Sequence, residues 1–219
     1  PVHYHRKSKQ DVLYVAQGEV AHAVPSQCDV MMSDKATTCH ILALRSTLSD
    51  LSTPLSSLTH IDSISYEECV RAMVQEHKAF HRISKVKEKK DNYSYSDSKI
   101  TLDVHIVGGL DDSKGSSREI SNWLITLLAS IAAEEKDSLV ITLQTCAISS
   151  MNDDGRNSPI GRGLAMDMKT GETFWARCDE QVAGPSIPWR SIRLWSGCPP
   201  MLSLIHTAYS NEVCIEPFK

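Results

Sequence analysis

Nothing in this chain is long and apolar enough to cross a bilayer, which takes about 20 consecutive apolar residues; no run approaches that length. The opening P-V-H-Y-H-R-K-S-K-Q has no apolar core, so residues 1–11 are read as a solvated basic tail and not as a secretory signal. Cysteine is present seven times, but C-x-x-C pairs are absent. The odd count and wide spacing exclude a disulfide framework. Zinc ligation takes closely paired Cys or His, and His3-x-His5 stands alone, so no metal or other cofactor is expected. Most of the thiols are expected to be reduced and buried as small hydrophobes. Neither sign of charge dominates: Lys and Arg total 23, Asp and Glu 27, for a net charge of −4. That balance argues against a nucleic-acid or membrane partner. No internal repeat is visible.

What is there suffices for one sizeable core. The chain has 219 residues, 41% hydrophobic and 23% charged, ordinary values for a globular domain. Short β-like runs cover 11–17, 19–24 and 28–32. After a polar loop, strands follow at Cys39–Arg45 and Ser57–Ile61. Val70, Met73, Val74, His77, Phe80 and Ile83 recur at three- and four-residue steps, predicting a helix from Tyr66 to about Lys87 with Ser65 at its N-cap. A charged, serine-rich loop is expected over 85–98. Lys99–Val107 alternates as a strand and stops at Gly108-Gly109. Ile120, Trp123, Leu124, Leu127, Leu128 and Ile131 mark a second helix over 118–136, capped by Ser116 or Ser117. Leu139–Cys146 reads as a central strand. Gly161–Met168 and Glu172–Arg177 flank a K-T-G turn and form a hairpin. Met201–Ile205 and Glu212–Glu216 close the chain as paired strands. The expected fold is α+β: a single domain of mostly antiparallel mixed sheets with two main helices packed against them.

The stretch S-D-K-A-T-T-C-H (33–40) carries the chemistry. A hydroxyl-rich loop feeds Cys39 into the apolar run from Ile41 to Leu44, a common way to present a thiol nucleophile. Such a thiol takes a base, and backbone N–H groups aimed at a developing oxyanion. If the strands at 39–45 and 57–61 pair antiparallel, the return of the chain brings His60 beside Cys39. Strand alternation sends His40 to the opposite face, where it is structural. His105 is read as a satisfied core or edge histidine. Gly108-Gly109 marks a turn or a close backbone approach to substrate. The Trp123–Ile131 stripe is core, and Lys85–Lys90 is a solvated helix end.

Five segments in order resemble the protein N-terminal asparagine amidohydrolases: L-Y-V-A-Q-G-E-V (13–20), S-D-K-A-T-T-C-H (33–40), L-T-H-I-D (58–62), V-H-I-V-G-G-L-D-D (104–112) and G-L-A-M-D-M-K-T-G-E (163–172). D-x-A-T-T-C-H is the most specific. Departures are Gly18, where the family carries Arg, and the 85–98 loop. The resemblance implies hydrolysis of the side-chain amide of an N-terminal asparagine to aspartate, with release of ammonia, feeding N-degron degradation in the cytoplasm and nucleus. Its partners are proteins or peptides with N-terminal asparagine. The nucleophile maps onto Cys39. A fainter likeness to bacterial deamidases of chemoreceptor glutamines makes His60 the base and Ser33 the orienting hydroxyl, with Thr37 or Thr38 as further candidates; Thr38 also shapes the pocket.

Selecting a free N-terminus takes a carboxylate for the α-ammonium, because an unpaired buried ammonium is costly. Asp62 and Glu19 are the two candidates. Two other classes stand beside this reading: another thiol amidase, such as a glutamine deamidase or cysteine protease, and a non-catalytic module that binds protein N-termini.

Overall fold

The computed structural model describes residues 2–4, 10–48, 52–88, 99–113, 115–156, 158, 160–179, 183, 190 and 202–214. Among them, eleven strands and two long helices run in the order β1 (Val2–Tyr4), β2 (Val12–Tyr14), β3 (Glu19–Ala23), β4 (Val30–Ala36), β5 (His40–Thr47), β6 (Leu55–Ile61), α1 (Glu67–Glu88), β7 (Ile100–Gly108), α2 (Ser116–Glu134), β8 (Leu139–Ile148), β9 (Arg162–Asp167), β10 (Thr173–Cys178) and β11 (Ser203–His206). The strands form a five-stranded sheet ordered β1-β10-β9-β4-β2 and a six-stranded sheet ordered β11-β3-β6-β5-β7-β8. The inner ladders are antiparallel; parallel pairs sit at the sheet margins. No described helix is long and apolar enough to cross a membrane.

Alternation along the central strand β5 sorts its residues between two cores. Ile41 and Ala43 point to the small sheet and pack with Met31, Leu58, Val107 and Leu164. Leu42 and Leu44 point the other way, into a core shared with Val70 and Met73 of α1 and Leu124 and Leu128 of α2. The layers are therefore small sheet, large sheet, helices. Arg45 ties the first two together, donating to Met168 O at 2.9 Å and Lys169 O at 3.1 Å in the β9–β10 turn.

The α+β architecture, both helices and the β9–β10 hairpin match expectation; several local features differ. Residues 2–4 of the supposed tail add a strand, paired in parallel with Ala176–Cys178. Strand β4 runs through Ser33 to Ala36 where a loop was expected, its ladder with β9 interrupted by a bulge between Ser33 and Ala36. Strand β8 is the edge of its sheet and not central. The crossover through α2 lays it parallel to β7, and no further described strand joins it, which leaves Val140 and Leu143 nearly half exposed.

Ser63, not Ser65, caps the short 3-10 turn Ile64–Tyr66 that starts α1. Gly115, in a left-handed conformation, precedes α2 in place of a serine cap. The buried face of α1 passes from His77 to His81, leaving Ile83 exposed. Only β11 forms at the C-terminal end of the described chain: Cys214 N donates to Ile205 O at 2.7 Å without a second strand, and 215–216 lie outside the described residues. The 85–98 loop lies outside them from residue 89 onward. Of the six described cysteines, all free, only Cys28 and Cys178 are buried; Cys146 and Cys214 are exposed, Cys146 on the open edge strand.

Candidate functional site

The loop that begins after Ala36 ends at Cys39, where β5 starts. Four features of the fold converge on that point. Two come from strand register. His40 pairs with Ile61 and Ile41 with His60, so Cys39 and Asp62, one step beyond the His40–Ile61 pair, flank each other across the β5–β6 ladder. Cross-strand neighbours of this kind share a face, and here the face is the one turned toward the small sheet. Ser33 reaches it from the other side. Along β4, Met31 packs into the inter-sheet core and Met32 outside it, so Ser33 points inward. Its Oγ lies 2.9 Å from His60 Nδ1, both residues buried.

The third feature is the support beneath Cys39. Gly109 N donates to Cys39 O at 2.8 Å, and Ser117 Oγ, at the start of α2, donates to Thr38 O at 2.7 Å. Gly108 has φ +109, and a Cβ built on it would stand 2.4 Å from Cys39 O. Gly108-Gly109 is thus a close backbone approach, made to the cysteine loop itself. Gly108→Ala should displace Cys39 and cost about 2–4 kcal/mol through overpacking and left-handed strain. Urea unfolding and the alkylation rate of Cys39 measure the two effects; an unchanged urea midpoint would show that the approach has slack.

The fourth feature is an acidic pair. Asp62 accepts from Gln17 Nε2 at 2.7 Å and from Tyr66 Oη at 2.9 Å, one neutral donor per oxygen, and pairs with no cation among the described residues. Glu19 is buried and already matched. It accepts from Ala16 N at 2.8 Å and from Arg190 through Nε at 2.7 Å and Nη2.

The electrostatics follow from burial. Desolvation, then the Asp62 carboxylate, pushes the Cys39 thiol up to about 11, with a hydrogen bond from the Thr38 side chain working the other way. Desolvation pulls the His60 imidazole down to about 4; Asp62 opposes that fall and His40 adds to it. His60 Nε2 is buried with no hydrogen-bond partner among the described residues. Both groups are therefore neutral near pH 7.

Of the residues singled out in the sequence, Cys39, Ser33, His60 and Asp62 gather near the His40–Ile61 end of the β5–β6 ladder. Thr38, exposed, borders the thiol. Glu19 lies in the same region with its charge satisfied. His40 turns to α2, 2.7 Å from Ser121 Oγ, and His105 faces Thr145 Oγ1 at 3.0 Å. Gln17, Tyr66, Arg190 and Asn152 join these surroundings without a role that the sequence pattern assigns. Gln17 stood inside the quoted L-Y-V-A-Q-G-E-V segment, and Tyr66 looked like a helix start. Arg190 and the buried Asn152, which donates to Gly109 O at 2.9 Å, carried no signal in the sequence. No group of three or more metal-ligating side chains occurs among the described residues.

The arrangement defines an α+β sandwich with a cysteine, histidine and serine cluster at one end of its two sheets. A family model described as protein N-terminal asparagine amidohydrolase matches residues 2–219, and the chain belongs to that family. Curated relatives bearing the name protein N-terminal asparagine amidohydrolase from Sus scrofa and Homo sapiens are 29% and 28% identical over 211 residues, and that from Mus musculus 29% over 210. Each alignment covers 95% of this chain and 60% of the relative, so the chain spans about 60% of the length of the curated relatives it matches.

Proposed function

We propose that this protein hydrolyses the side-chain amide of an N-terminal asparagine to aspartate, releasing ammonia, with Cys39 as nucleophile and His60 as base. The supporting observation is the family match across 2–219 together with Cys39 at the head of β5, on the face where Ser33 holds His60. For His60 to accept a proton at Nε2, its Nδ1 must carry the hydrogen, and Ser33 Oγ is the acceptor that fixes this tautomer.

The thiolate of Cys39 attacks the amide carbon, and the carbonyl becomes an oxyanion held by backbone N–H groups at the turn, that of Cys39 among them. The imidazolium of His60 then protonates the amide nitrogen, which leaves as ammonia. Water, deprotonated by His60, cleaves the thioester, giving the aspartate side chain and restoring the thiol. Asp62 reads the substrate α-ammonium: it has charge to offer, whereas Glu19 is neutralised by Arg190. In the cell such a reaction, in cytoplasm or nucleus, prepares proteins for degradation through the N-degron pathway.

Peptides test this directly. Ammonia should be released from a peptide beginning with Asn, and not from the N-acetylated peptide, one beginning with Gln, or one with internal Asn. Equal turnover of Gln- and Asn-initiated peptides would assign a different amidase, and no ammonia from any of them would leave a binding module.

A further inference from the structure

The amidase reading leaves a gap at its first step. The proton of Cys39 must move to His60, yet the free site disfavours both charged forms, holding sulfur near 11 and imidazole near 4. A carboxylate with no cationic partner among the described residues sits beside the thiol. Asp62 stands one step beyond the His40–Ile61 end of the β5–β6 ladder, beside Cys39, whose thiol feels its charge, and its oxygens are held by neutral donors, Gln17 and Tyr66. We infer that the substrate helps to activate its own nucleophile: the α-ammonium seated on Asp62 cancels the carboxylate charge that adds to burial in opposing the thiolate, so a free N-terminus eases the loss of the Cys39 proton.

The proton balance is simple. The S–H bond breaks, the electron pair stays on sulfur, and the proton passes to His60 Nε2. Cancelling Asp62 also weakens the support that this carboxylate gives to the imidazolium, so distance decides the net sign. Continued one step past the ladder, strand spacing puts Cys39 about 5 Å from Asp62 between Cβ atoms, and His60, two residues back from Asp62, about 6.6 Å away. The sulfur therefore gains more than the imidazole loses. The other titratable groups facing Cys39 do not offset this. Tyr66 is neutral at pH 7, burial first and then the Asp62 hydrogen bond raising its phenol. His40 points to α2 on the opposite face.

In this scheme selectivity and catalysis share one device. A blocked N-terminus or an internal asparagine leaves the nucleophile harder to deprotonate, beyond any loss of affinity. Gln17 and Tyr66 are positioning residues that hold the carboxylate in place for the ammonium.

The thiolate of Cys39 is titrated by ultraviolet absorbance in the full chain, as the difference between wild type and Cys39→Ser. Glycinamide supplies an α-ammonium without a side-chain amide, and N-acetylglycinamide is its control. Glycinamide should move the Cys39 titration down by about one pH unit or more, the range for a charge partner a few ångströms away, while the acetylated form moves nothing. In Asp62→Asn the titration of the free protein should already lie lower and glycinamide should add nothing. Ammonia release should nonetheless fall at least about tenfold, a thiol made more acidic in a slower enzyme. A purely structural role for Asp62 predicts no such split.

Tyr66→Phe keeps the carboxylate, so it should raise KM for an Asn-initiated peptide with little change in kcat, and it serves if Asp62→Asn unfolds. The inference is overturned if glycinamide competes with substrate yet leaves the titration in place, if it does not compete at all, or if Asp62→Asn has a thiol no more acidic than wild type. Should no peptide yield ammonia, the amidase reading fails, while the titration still reports on Asp62 and Cys39.

Discussion

Cys39→Ala should release no ammonia from an Asn-initiated peptide while remaining folded. The thiol is half-buried and lies outside the three clusters that form the core. Its removal creates no closed cavity, and the stability change should stay within about 1 kcal/mol. The support of the loop is made through main-chain atoms, Cys39 O to Gly109 and Thr38 O to Ser117, and these persist in alanine. Turnover should fall at least about 10⁴-fold, the scale seen when a covalent nucleophile is removed from an acyl-transfer site. Two measurements on one sample decide the matter: ammonia release and the thermal unfolding midpoint. An active Cys39→Ala protein would falsify the thiol mechanism, and an inactive but unfolded one would shift the role of Cys39 to the loop.

Mild acid should unfold the protein through a row of buried histidines beneath α1. His22 Nδ1 lies 2.6 Å from Ser57 Oγ, which is 2.8 Å from His77 Nε2; His77 Nδ1 is 2.6 Å from Ser46 Oγ, itself 2.8 Å from His81 Nε2. Burial, with His206 beside it, brings His22 to about 4; burial, with His22 and His81 beside it, holds His77 well below its ordinary value. His206 Nδ1 donates to His22 O at 2.8 Å, so the flanking groups are further imidazoles and hydroxyls with no carboxylate among these contacts.

Each depressed value means that the unfolded chain binds a proton before the folded one does. Stability from these residues is complete above about pH 6.5 and falls as the pH drops toward 4, by about 1.4 kcal/mol per pH unit for each histidine. His40 and His60, both brought to about 4 mainly by burial, act in the same window. The urea midpoint should therefore drop steeply between pH 7 and pH 5. His77→Gln, which can still bond two hydroxyls but does not titrate, should flatten that drop; an unchanged slope would exclude His77 as a contributor.

Sequence periodicity located most elements but not their neighbours. The alternation of β5 and β6 and the stripe of α2 survive in the fold because one face of each meets a core, and burial writes its period directly into the residue pattern. The apolar run Leu139–Ile141 looked like an interior strand, yet the same residues line an edge, since a run of hydrophobics does not report how many strands flank it. Of the α1 histidines, His77 belongs to the expected apolar stripe, and it lies with His81 on the buried face. That they meet serines from β5 and β6 depended on strands drawn from elsewhere in the chain.

The site divides the same way. Cys39 was legible because it stands in a specific local motif, and His60 because antiparallel return is short-range geometry. Ser33 came through family resemblance, and only the stacking of the small sheet on the large one brings its hydroxyl to His60. Gln17 and Tyr66 were invisible as partners of Asp62: hydrogen bonds across 45 residues leave no period in a sequence.

The sequence alone therefore determined most of the strands, both helices and the family, because these rest on local pattern and on motif. Tertiary structure decided what surrounds each carboxylate, since a buried ion pair from Arg190, 171 residues away, takes Glu19, while the described hydrogen bonds to the Asp62 carboxylate come from neutral donors.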